Sequence, residues 1–363
     1  MQQYSVGLDV HSTQRTFVIN VVAEGEVPTT PSGLKELRDR QASPSGTPVA
    51  LETGTTAFFV ARQLSTVGMA PVVVDAHEVR LKAHRPTQKS DRRDARELCE
   101  GLRRGIYRVI VHVPSGAVAS LRDTLSRRRH FVRVQTAEIN AAKRLLRSAG
   151  LGQASRDLRS ERGWPTVLQA VAAFGDLRAY LEQHRALWRG AGEQIQALEA
   201  LLAAHQRPFA ADLQRLQTIP GVGPVVAATG VAVFAEVQRF PDAKHAASYA
   251  GLTPSTYQSG SRDVHARITK RGSAELRAML CEAAHHAARP QHPLHPYFAP
   301  PCAKHGDKRV VVAVAHRLCR IMFAMLRHGH DFEVRKLGIE IGPFEHTSAI
   351  AQLTASTSGP EAM

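Results

Sequence analysis

Apolar residues in the first third of the chain come in short runs separated by amphipathic stretches. YSVGLDV (4–10) and RTFVINVVA (15–23) read as strands with a turn between them. TPVALE (47–52) and APVVVD (70–75) are short and Val-rich, the pattern of strands buried inside a mixed sheet. Helical stretches near 32–40 and 55–67, and from about Ser90 to Gly105, interleave with them. A hairpin followed by strands alternating with helices predicts an α/β domain over 1–112.

The pattern then changes period. Val118, Leu121, Leu125, Val132, Ile139, Ala142 and Leu146 follow 3-4 spacing, interrupted by Arg128 and Gln135. Leu177, Leu181, Trp188, Ile195, Leu198 and Leu202 repeat it. Two long helices with heptad-like seams and a loop near 150–165 predict an antiparallel coiled-coil hairpin or a dimerisation arm over 113–206. Residues 207–345 read as mostly helical. PGVGP (220–224) opens an apolar helix, KRG (270–272) precedes another at about 273–289, and an amphipathic helix runs from Arg309 to Arg327. The Ser-, Thr- and Ala-rich tail, 346–363, is expected to be disordered. The fold class is thus α/β plus all-α: a mixed-sheet domain, a helical coiled-coil arm and a mostly helical C-terminal domain.

Several classes drop out. The longest apolar runs, Pro224–Ala235 and Val310–Ala315, are too short to span a bilayer. Asp9 and His11 come before any apolar leader, so no signal peptide is expected. Four cysteines without CxxC pairs make no disulfide framework, and a reduced, cytoplasmic protein is expected.

Charge narrows the partner. The 363 residues carry 47 Lys plus Arg against 32 Asp plus Glu, a net +15. Such an excess on a folded chain points to a polyanion, most economically nucleic acid, with Arg-rich codon usage as the bland alternative.

Four acids are the first chemical signal. Asp9 and Glu52 close strands, and sites form at strand ends in open α/β sheets. Asp91 and Asp94, at i,i+3, share one helix face. Convergent carboxylates repel unless cations neutralise them, and Mg²⁺ takes hard oxygen ligands while leaving positions open to phosphate. Arg80 to Arg108 holds ten Lys or Arg against four Asp or Glu, a frame that suits a polyanion. Each acid alone reads as readily as a helix cap or solvated side chain. His11, two residues from Asp9, is either a proton shuttle or an innocent neighbour on one strand face.

GLDVH (7–11), ALETG (50–54) and KSDRRDA (89–95) resemble the Asp-Glu-Asp-Asp pattern of insertion-sequence transposases of the IS-one-ten family, relatives of Piv-type DNA invertases. The resemblance implies a RuvC/RNase H-like domain in which Asp9, Glu52, Asp91 and Asp94 are catalytic and hold one or two Mg²⁺ ions.

A serine is the second signal. Tyr257-Gln258-Ser259-Gly260 follows a Pro-rich turn and precedes Arg262, Arg267, Lys270 and Arg271. A serine beside glycine can approach a phosphate closely, and arginines stabilise the charge that develops. From the residues alone, a turn serine is the plainer reading, and Ser255 and Ser261 are close rivals. The run GLTP…SG…ITKRG…LR resembles the same family's C-terminal domain, whose nucleophilic serine matches Ser259; family members often carry two serines before the glycine, where this chain has Gln258. LQTIPGVGPVVAATGVAVF (216–234) and KRVVVAVAHRLCRIMFAMLRHG (308–329) extend the resemblance over nearly the whole chain.

The resemblance implies strand exchange through a phosphoserine link to DNA, guided by a structured bridge RNA. It also implies a homo-oligomer, dimer or tetramer, with composite sites between subunits, acting at the bacterial nucleoid. Lys89, Arg92, Arg93, Arg262, Arg267, Lys270 and Arg271 are the candidate nucleic-acid contacts. No zinc finger or recognition-helix dimer is visible, which fits specificity delegated to RNA. Zinc at Cys302, His305, His316 and Cys319 is disfavoured, because His316 and Cys319 fall within an amphipathic helix. Two other classes stay open: a metal-dependent nuclease of junction-resolvase type with a structural serine, and a binding protein without chemistry.

Overall fold

The computed structural model describes residues 4–11, 13–20, 23–40, 44–82, 90–156, 158–259 and 262–337. The chain divides into two compact units, Met1–Gly116 and Ala117–Met363. The first holds β1 (Val6–Val10), β2 (Gln14–Ile19), β3 (Ala23–Pro28), α1 (Pro31–Arg40), β4 (Pro48–Glu52), α2 (Ala57–Thr66), β5 (Ala70–Val74), α3 (Ala76–Lys82) and α4 (Asp91–Arg103). The sheet order is β3-β2-β1-β4-β5. β1 pairs antiparallel with β2 and parallel with β4, and β4 with β5 is parallel, giving the mixed sheet expected.

Alternation along the strands assigns the two faces. Val6, Leu8, Phe17, Ile19, Val49 and Leu51 pack with α1 and α2 through Leu34, Leu37, Val60 and Leu64. The opposite face carries Val18 against Ala95 and Cys99 of α4. Gly7 lies under α4, where an added Cβ would strike the Ala95 carbonyl and the Cys99 amide. Only glycine permits that approach. β3 was not expected as a separate strand. It is a polar edge, AEGEVP, paired with β2, so it lacks the apolar run that signals buried strands.

After α4 the chain returns along β5, where Val111 donates to the Val73 carbonyl. Glu78 pins this return, accepting from the Arg108 and Val109 amides and from the Lys82 ammonium. Burial works against its charge, but Lys82 and the two amides prevail and bring the carboxyl down to about 2.

The second unit begins with α5 (Gly116–Ser148), α6 (Gly163–Ala170) and α7 (Gly175–Gln206). α5 and α7 run antiparallel: Arg128 bonds Glu199, Gln135 bonds the Trp188 carbonyl, and His184 bonds Glu138. The expected loop at 150–165 is instead a packed knob containing a 3₁₀ turn and the start of α6. Trp164, Leu158, Val167 and Leu146 form a small core there, with Trp188 5.8 Å from Trp164 between ring centroids.

The remainder is α8 (Ala210–Gln217), α9 (Pro224–Phe234), α10 (Ala243–Tyr249), the hairpin β6 (Pro254–Ser259) and β7 (Arg262–Ile268), α11 (Ala274–Ala284), α12 (Ala299–His305) and α13 (Asp307–His328). α9 is buried along most of its length, and α13 turns Val314, Leu318 and Met322 into the same core. Cys319 is buried in that core. The tail at 346–363 lies outside the described residues, among which no helix is long and apolar enough to cross a membrane.

Two outcomes follow. Gly7→Ala meets backbone rather than flexible side chains, so it should cost about 3 kcal/mol, the upper end of usual overpacking. A thermal melt should show a fall on the order of 10 °C for a unit of this size. Glu78 contributes stability present above its unfolded value of about 4.3 and lost as pH falls toward about 2. Melts of Glu78→Gln between those limits should lack that acid dependence.

Candidate metal and nucleic-acid site

The parallel pairing of β1 with β4 sets the site. Leu8 stands opposite Leu51, so Asp9 and Glu52 lie one step further on neighbouring strands. Since Leu8 and Leu51 face α1 and α2, alternation turns Asp9 and Glu52 to the α4 side. The start of α4 supplies the other two acids. Ser90 caps it, its hydroxyl accepting from the Arg93 amide, and Asp91 and Asp94 occupy the first turn, where the helix dipole favours negative charge.

His11 joins two of these groups. Its Nε2 lies 3.1 Å from Asp9 Oδ2 and 3.3 Å from Asp91 Oδ1. Slight desolvation lowers the imidazole pKa, but the two carboxylates and their hydrogen bonds outweigh it and raise it above its ordinary value. Ligand atoms of Asp9, His11 and Asp91 all lie within 4.8 Å of one another. Glu52 and Asp94 fall outside that close group. Glu52 is sensed from the α4 side by Tyr107, whose hydroxyl is pushed up to about 12 by burial first, then by Glu97, Glu78 and Glu52. Two hard carboxylate oxygens and one imidazole nitrogen form a donor set suited to a divalent cation. His11 was legible only as a neighbour of Asp9; the signal for its place is the i,i+2 spacing that keeps both on one side.

The basic candidates divide. Arg92 pairs with Glu24 at 3.6 Å, beside the Arg96–Glu24 pair at 3.0 Å. Such exposed pairs are weak and leave the guanidinium open to exchange for phosphate. Arg93 follows Arg92 on the first turn of α4. Lys89 lies outside the described residues. In the second unit, Lys270 and Arg271 are exposed at a tight turn, with Lys270 at φ 56° and Gly272 at φ 100°. An added Cβ on Gly272 would strike the Tyr249 carbonyl, so the turn is held against α10.

Ser259 ends β6, opposite Arg262 in register. Where a loop was expected, Ser259 is the last residue of β6, paired antiparallel with β7, which contains Arg267. Gly260 and Ser261 lie outside the described residues. Gly221, at φ 81°, turns the chain into α9 against His286, and the His292 imidazole meets the Pro220 carbonyl at 3.0 Å.

Comparison with known proteins bears on all of this. Residues 6–150 match a DEDD transposase domain, and residues 213–299 match the domain described as "Transposase IS116/IS110/IS902 family". A probable family 20 transposase of Pseudomonas aeruginosa is 28% identical over 307 residues, covering 77% of this chain and 83% of the relative. The transposase for insertion sequence element IS1111A of Coxiella burnetii is 27% identical over 259 residues, 68% of this chain and 69% of the relative. A pilin gene-inverting protein of Moraxella lacunata is 32% identical over 123 residues, 33% of this chain and 38% of the relative. The DEDD domain match and the acidic group of the first unit agree on divalent-metal use. With both domains present in order, the chain belongs to the IS116/IS110/IS902 family of transposases, enzymes that act on DNA.

Proposed function

We propose that the chain excises and inserts an insertion sequence by Mg²⁺-assisted strand exchange through a phosphoserine link, guided by a structured bridge RNA. The observation that carries this reading is the meeting of Asp9 and Asp91 around His11 at the strand ends of a DEDD transposase domain. Residues 1–112 form the carboxylate domain, 113–206 the arm and 207–345 the serine-bearing domain.

Asp9, Glu52, Asp91 and Asp94 are the ligands for Mg²⁺, which supplies charge neutralisation at the scissile phosphate. Ser259 Oγ forms a bond to phosphorus as a bridging DNA oxygen leaves; the serine proton passes to a base and the leaving oxygen is protonated. A hydroxyl of the second strand then displaces Ser259 and restores the phosphodiester. Lys89, Arg92, Arg93, Arg262, Arg267, Lys270 and Arg271 bind backbone phosphates. Self-association as a dimer or tetramer is supported by exposed Tyr180, Leu187 and Leu201 on α7, spaced by multiples of seven. The net +15 charge suits a protein carrying both RNA and DNA.

An excision assay with the gene in its native flanking DNA tests the reading. Wild type should form circular junctions, and Asp9→Ala and Ser259→Ala should each lose them while still folding. Junctions from Ser259→Ala would favour a water-using nuclease with a structural serine. RNA co-purifying with wild type should include a structured transcript of the element.

The cation site has a separate readout. Mg²⁺ at about ten times its Kd should stabilise the protein by about 1.4 kcal/mol, read as a thermal shift. Protonated His11 occupies the space between Asp9 and Asp91, and its raised pKa keeps it protonated to higher pH. The shift should therefore be smaller at about pH 5.5 than at about pH 8. An Asp9→Asn, Asp91→Asn double variant that keeps the full shift would remove these residues from the site.

A further inference from the structure

The knob at the distal end of the arm is more than a connection. A coiled-coil hairpin closes with a few residues, yet this chain builds a separate core between α5 and α7 from Leu158, Trp164, Val167, Leu168 and Val171. Such a core holds a surface rigid, and the surface here is basic. Lys143, Arg147, Gly150, Gly152, Gln153 and Arg156 line a concavity of about 600 Å³.

Three cations line it and, among the described residues, no carboxylate does. None of the three takes part in an ion pair among those residues, whereas Arg178, Arg185 and Arg189 on α7 pair with Glu182, Glu161 and Glu193. The floor is the end of α5, closed by bonds from the Gly150 amide to the Arg147 carbonyl and from the Leu151 amide to the Leu146 carbonyl. Gly150 at φ 77° completes this cap, which occupies carbonyls that would otherwise face an anion. Lys143 and Arg147 also suit the negative end of a helix. Arg156 comes after the helix and gains nothing from it.

We propose that this concavity binds the phosphodiester backbone of a nucleic acid, making the arm a nucleic-acid contact at its tip. Cations at the rim of an open basic cleft neutralise phosphates and release counterions without reading sequence. The proposal rests on the family's action on DNA and on none of the residues assigned to Mg²⁺ or to Ser259.

The test is the salt dependence of binding by the full chain to labelled 20-base-pair duplexes, one of DNA and one of RNA. Each phosphate contact contributes about 0.9 to the slope of log affinity against log salt on duplex DNA. Lys143→Gln, Arg147→Gln, Arg156→Gln together should reduce the slope by about 3 on at least one duplex, and the duplex affected identifies the nucleic acid. The control Arg178→Gln, Arg185→Gln, Arg189→Gln removes the same charge and should change the slope much less. Arg147→Lys, Arg156→Lys should bind as wild type does. If the triple variant does not fold, Arg156→Gln alone should reduce the slope by about 1. An unchanged slope on both duplexes, an equal loss in the control, or no salt-dependent binding by wild type would each overturn the proposal.

Discussion

The contact between Gly7 and α4 decides where Asp91 meets His11 and Asp9. A helix normally stands off a sheet by the length of two side chains. Here Gly7 has none to offer, and Ala95 and Cys99 keep the helix side small, so backbone meets backbone. The approach fixes the height of α4 along β1 as well as its distance. Its first turn then falls beside the strand ends, and Asp91 arrives within reach of His11 and thereby of Asp9. A change at Gly7 would move carboxylates it never touches.

Bringing acids together costs electrostatic energy, and the structure offsets it locally in three ways. The first turn of α4 presents the positive end of its dipole to Asp91 and Asp94. His11 bridges Asp9 and Asp91, and its raised pKa is the measure of their joint field. Partial exposure of all three leaves the remaining charge to solvent. A divalent cation held by Asp9, Asp91 and the neutral imidazole would displace the His11 proton, so proton and metal compete for one place.

Much of this was legible because two periodicities differ so plainly. PVALE is the interior strand its sequence predicts, with Glu52 at its end, whereas APVVV, expected inside the sheet, forms its edge, with Val73 and Val74 buried and the rest half-exposed. The seams of α5 and α7 marked two long helices and left an antiparallel hairpin or a dimerisation arm open; the bonds between them are those of an antiparallel pair. Other features carried weak local signals. β3 is polar because it is an edge, and only its pairing with β2 reveals it. The knob depends on Trp164 meeting Trp188, residues 24 apart in sequence that no short window connects. Ser259 sits among small polar residues suited to a turn, and the hairpin pairing overrides that local preference.

Charge can now be weighed against composition. Arginines accumulated by codon drift would be scattered without regard to acids. On α7 they are instead matched: Arg178, Arg185 and Arg189 each meet a glutamate, and Arg128 of α5 meets Glu199 across the seam. At the same end of the arm, where Arg185 meets Glu161 and Leu181 and Trp188 pack into the knob, Lys143, Arg147 and Arg156 surround a concavity and form no ion pair among the described residues. Exposed pairs contribute little to stability, so their main effect is to lower the positive field locally. Cations without such a partner among the described residues do the reverse, concentrating attraction for a polyanion at one place. The net charge of the chain is thus less informative than which of its cations are neutralised by a neighbouring acid.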